Sequence, residues 1–150
     1  MENPLQIREM RSDEIGLAID WAAQEGWNPG LDDAASFAAA DPQGFLIGLL
    51  GGQPVAVISA VRYGSGFAFI GCYIVAPQFR GRGFGWTIWQ AAMHRLEGRN
   101  IGLDGVVAQQ DNYRRCGFRL AHRNIRFAGK AGRISATLPE SVSIETIQSQ

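Results

Sequence analysis

The sequence predicts an α/β domain built on one mixed sheet with helices on both faces. Three observations carry that prediction. A nearly uncharged run of aromatic and β-branched residues, Phe67 to Val75, leads through a glycine-rich turn into an apolar stretch of helical period. Two further extended runs, Gly44 to Leu50 and Pro54 to Tyr63, precede it around the hairpin signal Gly51-Gly52-Gln53. An amphipathic helix pattern from Ile15 to Ala22 comes earlier still.

Taken in order, Leu5 to Met10 reads as a first strand with Ile7 inward. Ser12 offers an N-cap, and Asp13 and Glu14 fall in the first turn, where the helix dipole favours acids. Ile15, Leu17, Ala18, Ile19, Trp21 and Ala22 form the apolar face of a helix ending near Gly26. Asn28-Pro29-Gly30 is turn chemistry, and Asp32 or Asp33 caps a short second helix closed by Asp41-Pro42. The two-strand hairpin follows, then the turn Tyr63-Gly64-Ser65-Gly66 and the Phe67 to Val75 strand. Pro77 cannot donate to a ladder and stops that strand. Ile88, Trp89, Met93 and Leu96 recur at helical spacing until Gly98. Ile101 to Val107 reads as a strand, Tyr113 to Cys116 as one helical turn at most, and Phe118 to Phe127 as a last clear strand. Ala128 to Arg133 looks like a linker, and Val142 to Ile147 alternates like a further strand.

The turn between the Phe67 to Val75 strand and the helix has a chemical use. The first amides of a helix lack partners within it and carry the positive end of its dipole. Glycines at 81, 83 and 85 keep side chains away from those amides, and Arg80 and Arg82 add positive charge. The expected ligand is a phosphate or pyrophosphate. A nucleoside triphosphate loop needs a Gly-Lys-Ser/Thr ending, which the chain lacks. The dinucleotide fingerprint needs a glycine at 86, which is Trp.

Val75, Pro77, Arg80, Gly83 and Gly85 match the Arg/Gln-x-x-Gly-x-Gly/Ala pattern after a strand ending in Val-x-Pro. This stretch resembles the acyl-CoA pyrophosphate loop of the GNAT superfamily of N-acyltransferases. The element order resembles their fold as well, over roughly residues 5 to 128. The resemblance implies six to seven strands, helices on both faces, and central strands that splay apart to admit acetyl-CoA. It divides the chain into an acyl-CoA-binding domain, 1–128, and a tail, 129–150, that is a linker or the start of a second domain. It implies that backbone groups of Tyr73, Ile74 and Val75 bond the pantetheine arm. It also implies that the amides of Gly81, Arg82, Gly83, Phe84, Gly85 and Trp86 hold the pyrophosphate, with help from Arg80 and Arg82.

Tyr113, Gly117 and Phe118 resemble the family's Tyr-x-x-x-Gly-Phe motif, which implies that Tyr113 protonates the leaving thiolate. The plainer reading is a tyrosine packed on the sheet edge. Where many members have Asn and Ala upstream, this chain has Val106 and Gln109. Asn112 binds the pantetheine arm or caps the short helix. Trp27, in a turn, is expected to line the acceptor pocket, whereas Trp21 fits a core. Family members often place a Glu in the strand before the loop; Phe67 to Val75 contains no acid, and Glu25, Asp104, Asp111 and His122 offer no assignable base.

Composition bounds the remaining possibilities. Fourteen basic and fourteen acidic residues balance, against broad nucleic-acid binding. Cys72 and Cys116 provide neither a disulfide framework nor a metal cluster, so no metal is expected. A polar opening and the lack of a long apolar run lead to the expectation of a cytoplasmic protein that binds no membrane. The function expected is N-acetyl transfer from acetyl-CoA to a primary amine of a small molecule or peptide, by direct attack in a ternary complex. The alternative is a non-catalytic acyl-CoA-binding regulatory module. The tail leaves room for a homodimer or a missing C-terminal domain.

Overall fold

The computed structural model of this chain describes residues 4–125, 127–130, 139–143 and 145. Two compact units divide at Asp111 and Asn112. The first unit holds a five-stranded sheet in sequence order. Its strands are β1 (Gln6–Glu9), β2 (Phe45–Leu50), β3 (Gln53–Tyr63), β4 (Phe67–Val75) and β5 (Asn100–Leu103). Pairing is antiparallel from β1 through β4, and β5 joins β4 in parallel. The helices are α1 (Ile15–Gln24), α2 (Asp33–Ala40), α3 (Phe84–Arg95) and the short α4 (Gln110–Arg115), which spans the unit boundary.

Side-chain alternation assigns the two faces. Phe45, Ile47, Val57 and Ile74 join Met10, Ile15, Ala18 and Ala22 in one buried cluster beneath α1 and α2. Trp21 packs on its edge, as its position on the apolar face of α1 implied. On the other face α3 buries Ile88, Trp89 and Ala92 against β2, β3 and β4. Fully burying an aliphatic side chain of this size stabilises by about 2 kcal/mol.

Several local expectations give way to tertiary partners. The turn before α1 is secured by Glu14 rather than Ser12: its carboxylate accepts the Arg11 backbone N–H at 2.8 Å and both Arg8 Nη atoms at 2.7 Å. Asp33 reaches back to the Gly30 N–H at 2.8 Å, just ahead of α2. The strand expected over Ile101 to Val107 ends at Leu103, because pairing with β4 stops at the Ile70 and Leu103 pair. A 3-10 turn, Val107–Gln109, runs directly into α4, so the helix around Tyr113 is longer than one turn. No strand forms over the described part of Phe118 to Phe127, and Leu120, Ile125 and Phe127 stand exposed. The sheet therefore has fewer strands among the described residues than the six to seven expected. Residues 144, 146 and 147 of the Val142 to Ile147 run lie outside the described residues.

Glu14 makes the fold acid-sensitive. The Arg8 hydrogen bonds, followed by the Arg11 N–H, hold its carboxyl at about 2, below the ordinary 4.5. A depressed folded-state value adds stability above pH 4.5 that is lost as pH falls toward 2. Denaturant midpoints measured between pH 7 and pH 2 should drop through that window, and Glu14→Gln should remove part of the drop.

A buried ion pair ties the ends of three elements together. Arg95 Nη2 donates to both Asp41 oxygens at 2.9 and 3.0 Å, and the Arg62 N–H donates to Asp41 at 3.0 Å. The two side chains are 9% and 11% exposed. Removing Asp41 leaves the buried Arg95 guanidinium to the half-exposed Glu9 at 3.6 Å, so Asp41→Ala should cost about 3 kcal/mol in urea unfolding. Asp41→Ala combined with Arg95→Leu should recover part of that loss.

Candidate functional site

The site is built at the end of β4. Past Ile70 the strand has no β5 neighbour, yet it continues to Val75. Within that stretch the register against β3 slips: Ser59 faces Gly71 and Val57 faces Ile74, leaving Cys72 and Tyr73 opposite Ile58. Cys72 takes φ 43° there, so the strand carries a bulge, a feature that bends the chain and re-aims backbone groups. Ala76 N–H bonds the Val55 carbonyl at 2.9 Å. The neighbouring Val75 carbonyl consequently points away from β3, toward the side where β5 has stopped.

Side chains of the three predicted strand residues do not line this opening. Tyr73 stacks on Trp89 with ring centroids 5.4 Å apart. Ile74 is in the α1/α2 core. A Cβ on Gly85 would sit 2.8 Å from the Tyr73 hydroxyl and 3.1 Å from Val75 Cγ2, which places both side chains under α3. Any ligand role of Tyr73, Ile74 and Val75 would therefore fall to their backbone.

The three glycines of the loop do different work. Gly81 and Gly83 have φ 76° and 84°, in the left-handed region that side chains disfavour. A Cβ at either would meet nothing within 4 Å, so the space in front of them is open. Gly85 instead permits close approach of α3 to β4. The sequence reading made all three clear a path for a ligand; the space beside Gly85 is instead filled by Tyr73 and Val75.

Gly83 is the N-cap of α3, and its carbonyl accepts both the Thr87 N–H and the Thr87 hydroxyl at 3.2 Å. The amides of Phe84, Gly85 and Trp86 precede the first intrahelical bond. They bring a partial positive charge to the open space beside Gly81 and Gly83, and Trp86 is 56% exposed.

The two arginines occupy separate positions. The Arg82 guanidinium lies 5.7 Å from the Phe79 ring centroid and 5.0 Å from that of Phe84, a cation–π placement beside the helix start. Arg80 Nε donates to the Val75 carbonyl at 2.9 Å, and its Nη2 bonds Glu25. Sequence reading had Glu25 only as an unassignable acid. Nothing local links it to Arg80, because the contact joins the end of α1 to the end of β4.

Trp27 follows a Schellman-type stop to α1. Gly26, at φ 77°, donates to Ala23 O at 2.9 Å, and Trp27 N–H donates to Ala22 O at 3.1 Å. The indole is 37% exposed.

Tyr113 and Asn112 belong to the second unit. Asn112 lies inside α4 rather than ahead of it, which removes the reading of it as that helix's cap. Tyr113 is half-buried, its ring edge-on to Phe118 at 6.4 Å. Burial, with Cys116 adding to it, raises its phenol above the ordinary value of 10, so it holds its proton at neutral pH. On β4, burial pushes the Cys72 thiol up to about 11, and Cys72 is a neutral core residue. Among the described residues no group of three His, Cys, Asp or Glu could hold a metal ion.

The chain matches the acetyltransferase (GNAT) family over residues 9–118. It is 36% identical over 117 residues to the holothin acyltransferase of Pseudoalteromonas sp. (strain SANK 73390), an alignment covering 78% of this chain and 40% of that protein. The chain thus spans well under half the length of that curated relative. Among solved structures, Ard1 from Thermoplasma volcanium superposes with TM-score 0.67 at 19% identity, covering 79% of this chain and 84% of that one. A predicted acetyltransferase from Clostridium acetobutylicum, solved with acetyl-CoA, superposes with TM-score 0.61 at 14% identity, covering 83% and 96%.

Proposed function

The chain belongs to the GNAT acetyltransferase family, and on that footing we propose that it is an N-acetyltransferase using acetyl-CoA and a primary amine. The observation that carries the proposal is the juxtaposition of two features. The α3 amides face open space at Gly81 and Gly83, and β4 runs on beyond Ile70, where its pairing with β5 ends. A pyrophosphate suits the first and a pantetheine arm the second, the latter added as an extended strand would be.

Acetyl-CoA supplies the acetyl thioester, and the products are the amide and free CoA thiol. Amides from Gly81 to Trp86 hold the pyrophosphate, with Arg82 adding charge beside them. The backbone of Tyr73 to Val75 aligns the arm and places the thioester carbonyl at the strand end. Asn112 adds a bond to the arm, and Trp27 lines the acceptor side. As the amine nitrogen bonds the acetyl carbon, the sulfur departs and takes the Tyr113 hydroxyl proton, while the amine proton passes to water. Attack is direct, in a ternary complex. The acceptor is a small-molecule or peptide amine.

The reading extends to a cytoplasmic enzyme without metal, nucleic acid or membrane, acting as a homodimer or with a further domain. No helix among the described residues is long and apolar enough to cross a membrane.

Calorimetric titration of acetyl-CoA, followed by an assay for thiol release with a panel of amines, tests the proposal. Binding with amine-dependent thiol release supports it. Binding without release supports the regulatory alternative, and no binding sinks both.

A further inference from the structure

Arg80 ties the glycine loop to the end of β4 and to the end of α1. Its Nε donates to the Val75 carbonyl at 2.9 Å, lacing the loop back onto the strand end across the turn Pro77–Phe79. Its Nη2 is held by Glu25. Glu25 is the C-cap of α1, on a turn fastened by Glu25 N–H to Trp21 O at 3.0 Å and by the bonds of Gly26 and Trp27. The carboxylate is therefore presented from a rigid helix end rather than from a mobile loop.

We propose that Glu25 is a positioning residue for the acyl-CoA loop, holding Arg80 on Val75 so that the amides of Gly81 and Gly83 are fixed in front of α3. The proposal rests on the acetyl-CoA reading of the site. In it Arg80 acts as a strut and not as a phosphate ligand. The guanidinium already has an anion and a carbonyl as partners, and phosphate charge is met by the α3 amides. The same strut joins the end of α1, which leads directly to Trp27, to the loop that takes the acyl donor. A partly exposed pair of this kind, 49% and 30% by side chain, has little effect on global stability. Its effect is expected on loop order and affinity.

The sign of one substitution separates the two roles of Arg80. If Glu25 supports a strut, Glu25→Gln loosens the loop and weakens acetyl-CoA binding. If Arg80 is a phosphate ligand, Glu25 competes with the pyrophosphate and Glu25→Gln tightens binding. The experiment is calorimetric titration of acetyl-CoA into the wild type, Glu25→Gln, Arg80→Ala and the double variant, with thermal melts and amide hydrogen exchange of residues 80–83 in the free protein.

The expected results are an affinity loss of about 5-fold for Glu25→Gln, from the upper worth of a partly exposed ion pair. The double variant should match Arg80→Ala, melting points should barely move, and exchange at 80–83 should quicken in both single variants. Unchanged or tighter binding in Glu25→Gln, or additive losses in the double variant, would overturn the strut. If the wild type binds no acetyl-CoA, the function reading fails by itself, and exchange decides the strut. Faster exchange at 80–83 then supports it, and unchanged exchange overturns it.

Discussion

Gly83→Asp should abolish measurable acetyl-CoA binding, while Gly83→Asn should leave most of it. The two side chains have the same shape, and both residue types visit the left-handed conformation that Gly83 occupies at φ 84°. A Cβ at 83 meets nothing within 4 Å, so the strain of either variant lies in the backbone at φ 84° and is common to both. Either one, sitting at the N-cap of α3, can also reach the first amides and compete with a ligand for them. That competition is shared, so the difference between the variants isolates charge. At about 5 Å and an effective dielectric near 20, a carboxylate opposes one phosphate charge by about 3 kcal/mol, roughly 100-fold in affinity. Melting curves should show both variants folded. Equal binding by the Asp and Asn variants would mean that no anion rests on these amides.

Tyr113→Phe should lower kcat about 100-fold, the low end for loss of a positioned proton donor, with acetyl-CoA affinity unchanged. The phenyl ring keeps its edge-on contact with Phe118, so the variant removes little beyond the hydroxyl. The pH profile provides a second check. Because burial raises the phenol above its ordinary value of 10, its deprotonation should not centre a falling limb of the wild-type rate at a lower pH. An alkaline loss centred near 8 would belong to another group. A Tyr113→Phe enzyme with wild-type kcat would rule out the hydroxyl as the proton donor.

Much of the strand, loop and helix around Gly81 to Gly85 was legible in the sequence because its determinants are local. The apolar run to Val75, the stop at Pro77, the glycines and the period of Ile88, Trp89 and Leu96 each act over a few residues. The strand, loop and α3 formed as read, and the chain's family followed from the same residues. Other elements were misjudged where a distant partner decides. Ser12 had the chemistry of a cap, yet Glu14 secures that turn because Arg8 on the neighbouring strand binds its carboxylate. Phe118 to Phe127 has strand composition, but a strand exists only where another backbone pairs with it, and no such pairing occurs over its described residues.

By itself, the sequence determined the α/β architecture and the glycine-rich turn between β4 and α3, because backbone conformation at glycine and proline is set by the residue itself. Tertiary structure alone decided what each loop residue is for. It assigned Gly85 to the contact with Tyr73. It laid Arg82 against Phe79 and Phe84. It tied Arg80 to Glu25 and Val75. These assignments depend on which groups the folded chain brings within hydrogen-bond or van der Waals distance, and residues far apart in sequence carry no local sign of that meeting.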